Sequence, residues 1–198
     1  MALMSFLHDR NARSFYRWNP GSVNCPTAQS FSCFRLSAPR SVTHAVSIER
    51  AQPSDLRAIY EIECRCFHGP SAYTESMLRD LVSSERAVSL VLRCNGRIAA
   101  FAIWEYKEAL EHGEIETINV DPHDRGRGFG RLLLDEIEAS VRARRGVGIQ
   151  LEVACGNTAA QRLYQSAGYV IRARLVRYYR YLHHGTHDAF RMFKKLGG

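Results

Sequence analysis

From residue 45 onward the apolar positions fall into short runs whose period switches between two and about 3.6, the alternation expected of strands and helices in one layered domain. Residues 45–50 alternate as a strand. Pro53-Ser54-Asp55 offers a helix start, and Leu56, Ile59, Tyr60 and residues 62–66 carry that helix until Phe67-His68-Gly69-Pro70 breaks it. A short second helix is predicted over 74–81. Residues 87–93 and 97–106 flank Asn95-Gly96, the dipeptide that two-residue hairpin turns favour, and 114–120 read as a further strand. Leu133, Leu134, Ile137 and Val141 line one face of a helix running to Arg145 and stopped at Gly146. Residues 148–154 form a strand. Asn157 is placed to cap a helix carrying Ala160, Leu163, Tyr164 and Ala167, which Gly168 ends. Residues 169–181 and 189–195 close the chain as an antiparallel pair. The order βααβββαβαββ predicts an α/β chain of the α+β kind, with a mixed, mostly antiparallel central sheet flanked by about four helices.

Residues 1–44 lack this periodicity and are rich in Ser, Arg, Asn and Pro. They read as a disordered or loosely attached extension to a domain over 45–198. The apolar patch at 1–7 is short, has no basic residues before it and meets His8-Asp9-Arg10 at once, so it is not a secretory signal. The Arg-rich, acid-poor composition resembles an organelle transit peptide, but the break at Asn19-Pro20-Gly21 spoils a helical face, and a dispensable extension is the favoured reading. The expected compartment is therefore the cytoplasm, with a mitochondrion or plastid as the alternative through residues 1–44.

At 198 residues and 45% hydrophobic content the chain suits one domain with a sizeable core. No apolar run approaches the roughly 20 residues that span a bilayer, so no membrane partner is expected. Of the net charge of +7, +4 lies in residues 1–45 and +3 in the rest, too little on the domain itself for a dedicated nucleic-acid binder. The six cysteines contain no C-x-x-C pair and read as reduced, partly buried thiols. Cys64, Cys66 and His68, with His183, His184 and His187, match no structural zinc spacing; no metal is expected, and the three late histidines are read as an exposed hairpin.

The chemistry starts at Val120-Asp121-Pro122-His123-Asp124-Arg125-Gly126-Arg127-Gly128-Phe129-Gly130-Arg131, where a strand gives way to a helix through a basic, glycine-rich turn. Gly126, Gly128 and Gly130 let backbone N–H groups converge on an anion, the helix start adds its own donors, and Arg125, Arg127 and Arg131 add charge of the same sign. The third glycine falls one residue early for a dinucleotide fingerprint, and the absent lysine excludes a nucleotide-triphosphate loop. What remains is Arg-x-x-Gly-x-Gly at Arg125, Gly128 and Gly130, which resembles the coenzyme-binding motif of the GNAT superfamily of acetyl-CoA-dependent N-acetyltransferases. The predicted element order matches that fold over about 150 residues.

The stretch Leu151-Glu152-Val153 through Tyr169 closely resembles one GNAT subfamily, the ribosomal-protein N-terminal-alanine acetyltransferases. By that resemblance Glu152 is a general base, Tyr164 a general acid toward the coenzyme thiolate, and Asn157 a contact to the pantetheine arm. On pattern alone, Glu152 is a strand carboxylate pointing away from its apolar neighbours, Tyr164 fits a core aromatic equally well, and Asn157 is a plain cap. Ile118, Asn119 and Val120 are expected to offer strand backbone to pantetheine. Phe67-His68-Gly69-Pro70-Ser71-Ala72-Tyr73 looks like the subfamily's substrate-facing loop, giving Phe67, His68 and Tyr73 as acceptor contacts. Tyr179 joins them from Arg177-Tyr178-Tyr179, which with Asp188-Ala189-Phe190-Arg191-Met192 resembles the subfamily's C-terminal elements. The expected activity is acetyl transfer from acetyl-CoA to a primary amine, foremost a protein or peptide N-terminus, by a monomer or weak dimer; a small amine or lysine side chain, or non-catalytic acyl-CoA binding, are the alternatives. Glu152 is the single base the pattern offers, with no second group apparent in the substrate loop.

Overall fold

The computed structural model describes residues 45–67 and 69–197. Residues 1–44 and His68 lie outside the described residues, and so do the expectations attached to them. Seven strands make one sheet: β1 (Val46–Arg50), β2 (Ala87–Cys94), β3 (Arg97–Lys107), β4 (His112–Val120), β5 (Gly148–Ala154), β6 (Val170–Leu175) and β7 (Ala189–Lys195), in the order β1-β2-β3-β4-β5-β7-β6. Four helices flank it: α1 (Leu56–Cys66), α2 (Glu75–Ser83), α3 (Phe129–Ala143) and α4 (Thr158–Ser166). Every pairing is antiparallel except β4 with β5.

The two faces of the sheet carry separate cores. On one face Leu133, Leu134, Ile137 and Val141 of α3 and Ala160, Leu163 and Tyr164 of α4 pack on Leu90, Leu92, Trp104, Ile118, Val120, Leu151 and Val153. On the other, Ile59 and Ile62 of α1 and Leu78 of α2 pack on Val91, Phe101 and Ile103. Each fully buried aliphatic side chain contributes about 1.5–3 kcal/mol, so the periodic positions read from the sequence are the ones that hold the layers together. A buried carboxylate on α3, Glu138, adds a tie to the sheet by accepting from Lys194 of β7 at 2.6 Å and from Arg142 at 3.0 Å.

Two irregularities of β4 shape the centre of the sheet. Its ladder with β3 pairs Ile103 with Thr117 and Trp104 with Ile115, so Glu116 is the extra residue of a β-bulge. Its ladder with β5 is short: the last rung is Ile115 with Leu151, and beyond it the strands part, while β4 stays paired with β3 to Val120 and β5 with β7 to Ala154. The result is a wedge-shaped opening in the middle of the sheet.

Several boundaries differ from the sequence pattern. The strand expected over 169–181 ends at Leu175, because Arg177 takes a left-handed conformation (φ 52°) and its N–H donates to Asp188 Oδ1 at 2.9 Å, turning the chain into a long loop. The hairpin expected around the histidines is present, since His183 and Thr186 form an antiparallel bridge and His187 is exposed, but it is not exposed throughout: His183 is buried, 4.6 Å from Tyr179 and 6.0 Å from Phe67 between ring centroids. Among the cysteines, Cys94 is buried and Cys66 and Cys155 half-buried, but Cys64 is exposed. The helix expected to reach Arg145 stops at Ala143, with Arg145 itself adopting the left-handed turn (φ 58°).

Candidate active site

The glycine-rich turn lies at the open end of the wedge. Gly126 (φ 78°) and Gly128 (φ 82°) both hold left-handed conformations that other residues adopt only with strain, and a Cβ on Gly126 would meet no atom within 4 Å, so the turn leaves room above its main chain. Gly128 is the N-cap of α3, and the amides of Phe129 and Gly130 fall in the first turn, where a helix supplies no acceptors of its own. Gly130 differs from the other two: it is helical, with no left-handed conformation, and a Cβ there would make ordinary contact with Leu163 and Val120. Phe129 is buried in the core, leaving only its main chain for an anion.

The arginines also divide. Arg127 donates to Asp124 at 2.7 Å and lies 4.8 Å over the Phe129 ring, and Arg131 donates to Asp135 at 2.8 Å; both are engaged in holding the turn and helix rather than aimed freely into the opening. Beneath them Asp121 and Asp124 form a buried network. Asp124 also takes a hydrogen bond from Arg97, and Asp121 accepts from Arg65 at 2.8 Å and from His123 N–H at 3.0 Å. Burial raises the Asp121 carboxyl, but the His123 amide and ring and the Arg65 guanidinium outweigh it and hold the group below its ordinary value. Arg125 lies 3.9 Å from the Cys66 sulfur. Burial pushes that thiol up to about 11 in spite of the guanidinium, so Cys66 is a neutral thiol near pH 7 and no nucleophile.

Ile118 and Val120 bury their side chains on the α3 face, so only their main chain faces the wedge. The Val120 carbonyl also accepts from Cys66 at 3.4 Å. Asn119 points to the other face, where its Nδ2 donates to Glu63 Oε2 at 2.7 Å. On β5, Glu152 stands on the face opposite Leu151 and Val153, at the first position beyond the last rung, and its Oε1 accepts from Arg191 Nε at 2.7 Å and from Gln150 at 3.3 Å. Asn157 caps α4 by accepting from the Ala160 amide at 3.1 Å. Tyr164 is fully buried with Tyr169 5.6 Å away between ring centroids; burial, with Tyr169 and Tyr179 alongside, pushes its phenol well above the ordinary tyrosine value. It stays protonated at any physiological pH, a donor and never a base.

The residues expected to meet the acceptor fall into two groups, one around Tyr73 and one around His183. Tyr73 is held twice: its amide donates to Glu63 Oε1 at 2.7 Å, and its hydroxyl donates to Glu116 Oε1 on the bulge. Phe67 meets His183 edge-on, and Tyr179 packs between Tyr178 and His183 while its carbonyl meets His187 Nδ1 at 2.8 Å. The next residue, His184, crosses to the β5–α4 turn, where a Cβ on Gly156 would fall 2.0 Å from the His184 carbonyl oxygen. The loop between β6 and β7 thus straps the acceptor side to the turn that caps α4.

Sequence reasoning missed Glu63, Glu116 and His183. Glu63 looks like an outward helical residue and Glu116 like an outward strand residue; only the long-range partners reveal them. Neither Glu63 nor Glu116 belongs to the 67–73 loop, yet the structure brings both to the face of the sheet that carries Glu152.

A profile of the acetyltransferase (GNAT) family matches residues 56–169. The chain belongs to that family. It is 33% identical over 123 residues to the [ribosomal protein bS18]-alanine N-acetyltransferase of Escherichia coli (strain K12), covering 62% of this chain and 80% of that protein. To the N-alpha-acetyltransferase RimI of Mycobacterium tuberculosis it is 31% identical, over 70% of this chain and 87% of the relative. Among solved structures, the ribosomal-protein-S18-alanine N-acetyltransferase from Escherichia coli superposes with a TM-score of 0.69 at 30% identity, covering 78% of this chain and 97% of that one. Ard1 from Thermoplasma volcanium gives 0.68 at 26% identity, over 78% and 99%.

Proposed function

We propose that this acetyltransferase moves the acetyl group of acetyl-CoA to the N-terminal α-amine of a peptide or protein. The observation that carries the reading is the parting of β4 from β5 beyond Ile115 and Leu151, with an amide cradle at its open end and Glu152 on the acceptor face where the strands separate. The likeness to N-terminal-alanine acetyltransferases of Escherichia coli supports the choice of acceptor.

In this reading the amides of Gly126, Gly128, Phe129 and Gly130 receive the coenzyme's pyrophosphate with the positive end of α3 behind them, and Arg125 and Arg131 add charge at the rim. The main chain of Ile118, Asn119 and Val120 pairs with the pantetheine arm as a further strand would, and polarises the thioester carbonyl. Asn157 keeps the start of α4 in place beside it. Bound coenzyme supplies an activated acetyl thioester. Glu152 accepts the proton that the acceptor ammonium must shed; the amine nitrogen then attacks the carbonyl carbon, the C–N bond forms as the C–S bond breaks, and Tyr164 returns a proton to the leaving sulfur. Phe67, Tyr73 and Tyr179 flank the acceptor. Transfer is direct, since the half-buried Cys66 thiol is too weak an acid to form an acyl-enzyme. The protein acts in the cytoplasm as a monomer or weak dimer, with a mitochondrion or plastid the alternative address through residues 1–44.

The acceptor class is tested by the cost of making the nucleophile. A peptide α-amine has a pKa near 8 and a lysine near 10.4, so deprotonation at pH 7 costs about 1.4 against about 4.6 kcal/mol. Short peptides with a free N-terminal Ala, Ser, Thr or Met are expected to be acetylated at least about tenfold more efficiently than the same peptides blocked at the N-terminus and carrying an internal lysine, with the acetyl group located by mass spectrometry. Predominant acetyl-lysine, or turnover of free small amines alone, overturns the N-terminal reading.

A further inference from the structure

We infer that Glu116 is a second carboxylate of the acceptor site, binding the ammonium of the incoming amine beside Glu152, with Tyr73 holding it in position; the inference rests on the acetyltransferase reading. Three observations carry it. The first is register. Ile115 and Leu151 form the last rung between the parallel strands, so Glu116 and Glu152 are the next residues on each strand and stand across from one another where the opening begins.

The second is the bulge. In an unbroken strand Glu116 and Thr117 would point to opposite faces, yet Thr117 pairs with Ile103, whose side chain lies in the α1–α2 core, and Glu116 meets Tyr73 of that same core. The extra residue therefore sets two consecutive side chains toward the acceptor face and returns Ile118 and Val120 to the α3 core. A carboxylate at the extra position is aimed by backbone geometry, and the phenol that receives it is itself fixed through its amide to Glu63, which in turn accepts from Asn119 of the same strand.

The third is charge. Glu152 is ion-paired to Arg191 at 2.7 Å, so an ammonium that meets Glu152 meets a guanidinium beside it. Glu116 takes a hydrogen bond from the Tyr73 hydroxyl, which fixes the carboxylate in place. A second carboxylate across the opening from Glu152 adds negative charge where the ammonium arrives, while Glu152 is placed for the proton. A charge-assisted hydrogen bond to a fixed carboxylate is worth about 10- to 100-fold in affinity.

The test uses the full chain loaded with coenzyme A and a matched pair of peptides, one with N-terminal alanine and one with a propionyl group in place of the alanyl residue, titrated calorimetrically. Glu116→Gln is expected to weaken the amine peptide by about 10- to 100-fold while leaving the des-amino peptide and acetyl-CoA affinity unchanged. Equal loss on both peptides means that Glu116 only anchors Tyr73, and overturns the inference; so does no loss on either. Should the glutamine variant fail to fold, Tyr73→Phe keeps the carboxylate and removes its hydroxyl partner: an amine-selective loss supports the inference and an equal loss overturns it. Wild-type protein that releases thiol from acetyl-CoA with no amine overturns the acetyltransferase reading itself, whereas wild-type turnover on the alanyl peptide with unchanged kinetics in Glu116→Gln overturns the Glu116 assignment alone.

Discussion

At the glycine-loop end of the wedge the working parts are main-chain groups, placed by contiguous sequence: two left-handed glycines, the first turn of α3 and the strand edge that precedes them all fall within 118–131. At the acceptor end the parts are side chains drawn from five places, Glu63 and Phe67 of the α1 region, Tyr73 before α2, Glu116 on β4, Glu152 on β5, and Tyr179 with His183 on the loop before β7. A diphosphate and a pantetheine arm look alike to every enzyme that binds them, and backbone amides at a helix start recognise them without any particular side chain. An acceptor must be told from its competitors, and that is done by buried polar groups whose positions depend on the whole fold. The two ends should therefore fail differently.

The largest effect is expected from Gly128→Val. A β-branched residue at φ 82° is strained by about 1–2 kcal/mol and its methyls fill the space above the turn, so acetyl-CoA affinity should fall by about 100-fold or more while the protein still folds and melts only a few degrees lower. Calorimetric titration with the coenzyme, beside a thermal melt, reads both. Unchanged affinity in a folded variant would break the comparison at its first term, because the turn would then be only a connection.

Tyr164→Phe probes the boundary between the two ends. The phenol is buried and held protonated, so its loss removes a proton donor without opening a cavity larger than one oxygen. We expect kcat to fall roughly 100-fold with coenzyme affinity nearly unchanged, the pattern of an interaction made only as the thiolate leaves. A variant that turns over normally returns Tyr164 to the core beside Tyr169, where the sequence pattern alone also allowed it.

Legibility in the sequence follows the same division. The glycine turn, the Asn157 cap and the outward Glu152 between Leu151 and Val153 are local signals, each decided by residues within a few positions, and the structure puts them where spacing does. Glu63 is invisible to such reasoning: its partners are the amide of Tyr73, ten residues on, and Asn119, 56 residues on. Glu116 sits one residue from Ile115 in an alternating strand, and nothing local announces the bulge that adds a position there. The overlong strand at 169–181 has the same origin, since aromatic and aliphatic residues past Leu175 continue a strand-like pattern while a left-handed Arg177, tied to Asp188, ends it. Helix ends and anion turns are written in neighbouring residues; buried polar networks are written in the fold.

Gly156→Ala sharpens the acceptor side. The new methyl would lie 2.0 Å from the His184 carbonyl oxygen, a main-chain atom, so the strap between β6 and β7 must shift rather than a flexible side chain give way. With His183 next in the chain, edge-on to Phe67 and tilted against Tyr179, that shift should disturb the acceptor wall. The expected result is a rise of about tenfold in peptide KM, coenzyme affinity close to wild type, and a melting temperature lower by several degrees, as overpacking typically costs about 1–3 kcal/mol. Peptide KM unchanged in the variant would show that the strap is not part of the acceptor wall.

The smallest effect belongs to pH and again separates the two ends. Burial, with Arg125 adding to it, holds the His184 imidazole of the strap below its ordinary value, and burial does the same for His112 at the start of β4. Both groups bind a proton less readily folded than unfolded. Below about pH 6.5 the unfolded chain therefore takes up protons that the native state refuses, so the stability these two groups allow is complete above that pH and declines as the pH falls. A melting temperature that drifts down between about pH 7 and 5 is expected, together with a loss of peptide affinity that precedes any loss of coenzyme affinity, because His184 lies in the strap whereas the cradle is built of main-chain amides, which do not titrate. His184→Gln should remove part of the drift and flatten the pH dependence of peptide binding, leaving His112 to account for what is left. If peptide and coenzyme affinities fall together over that range, or the glutamine variant keeps the full dependence, the strap does not open by protonation at His184 and the acceptor end owes its shape to packing alone.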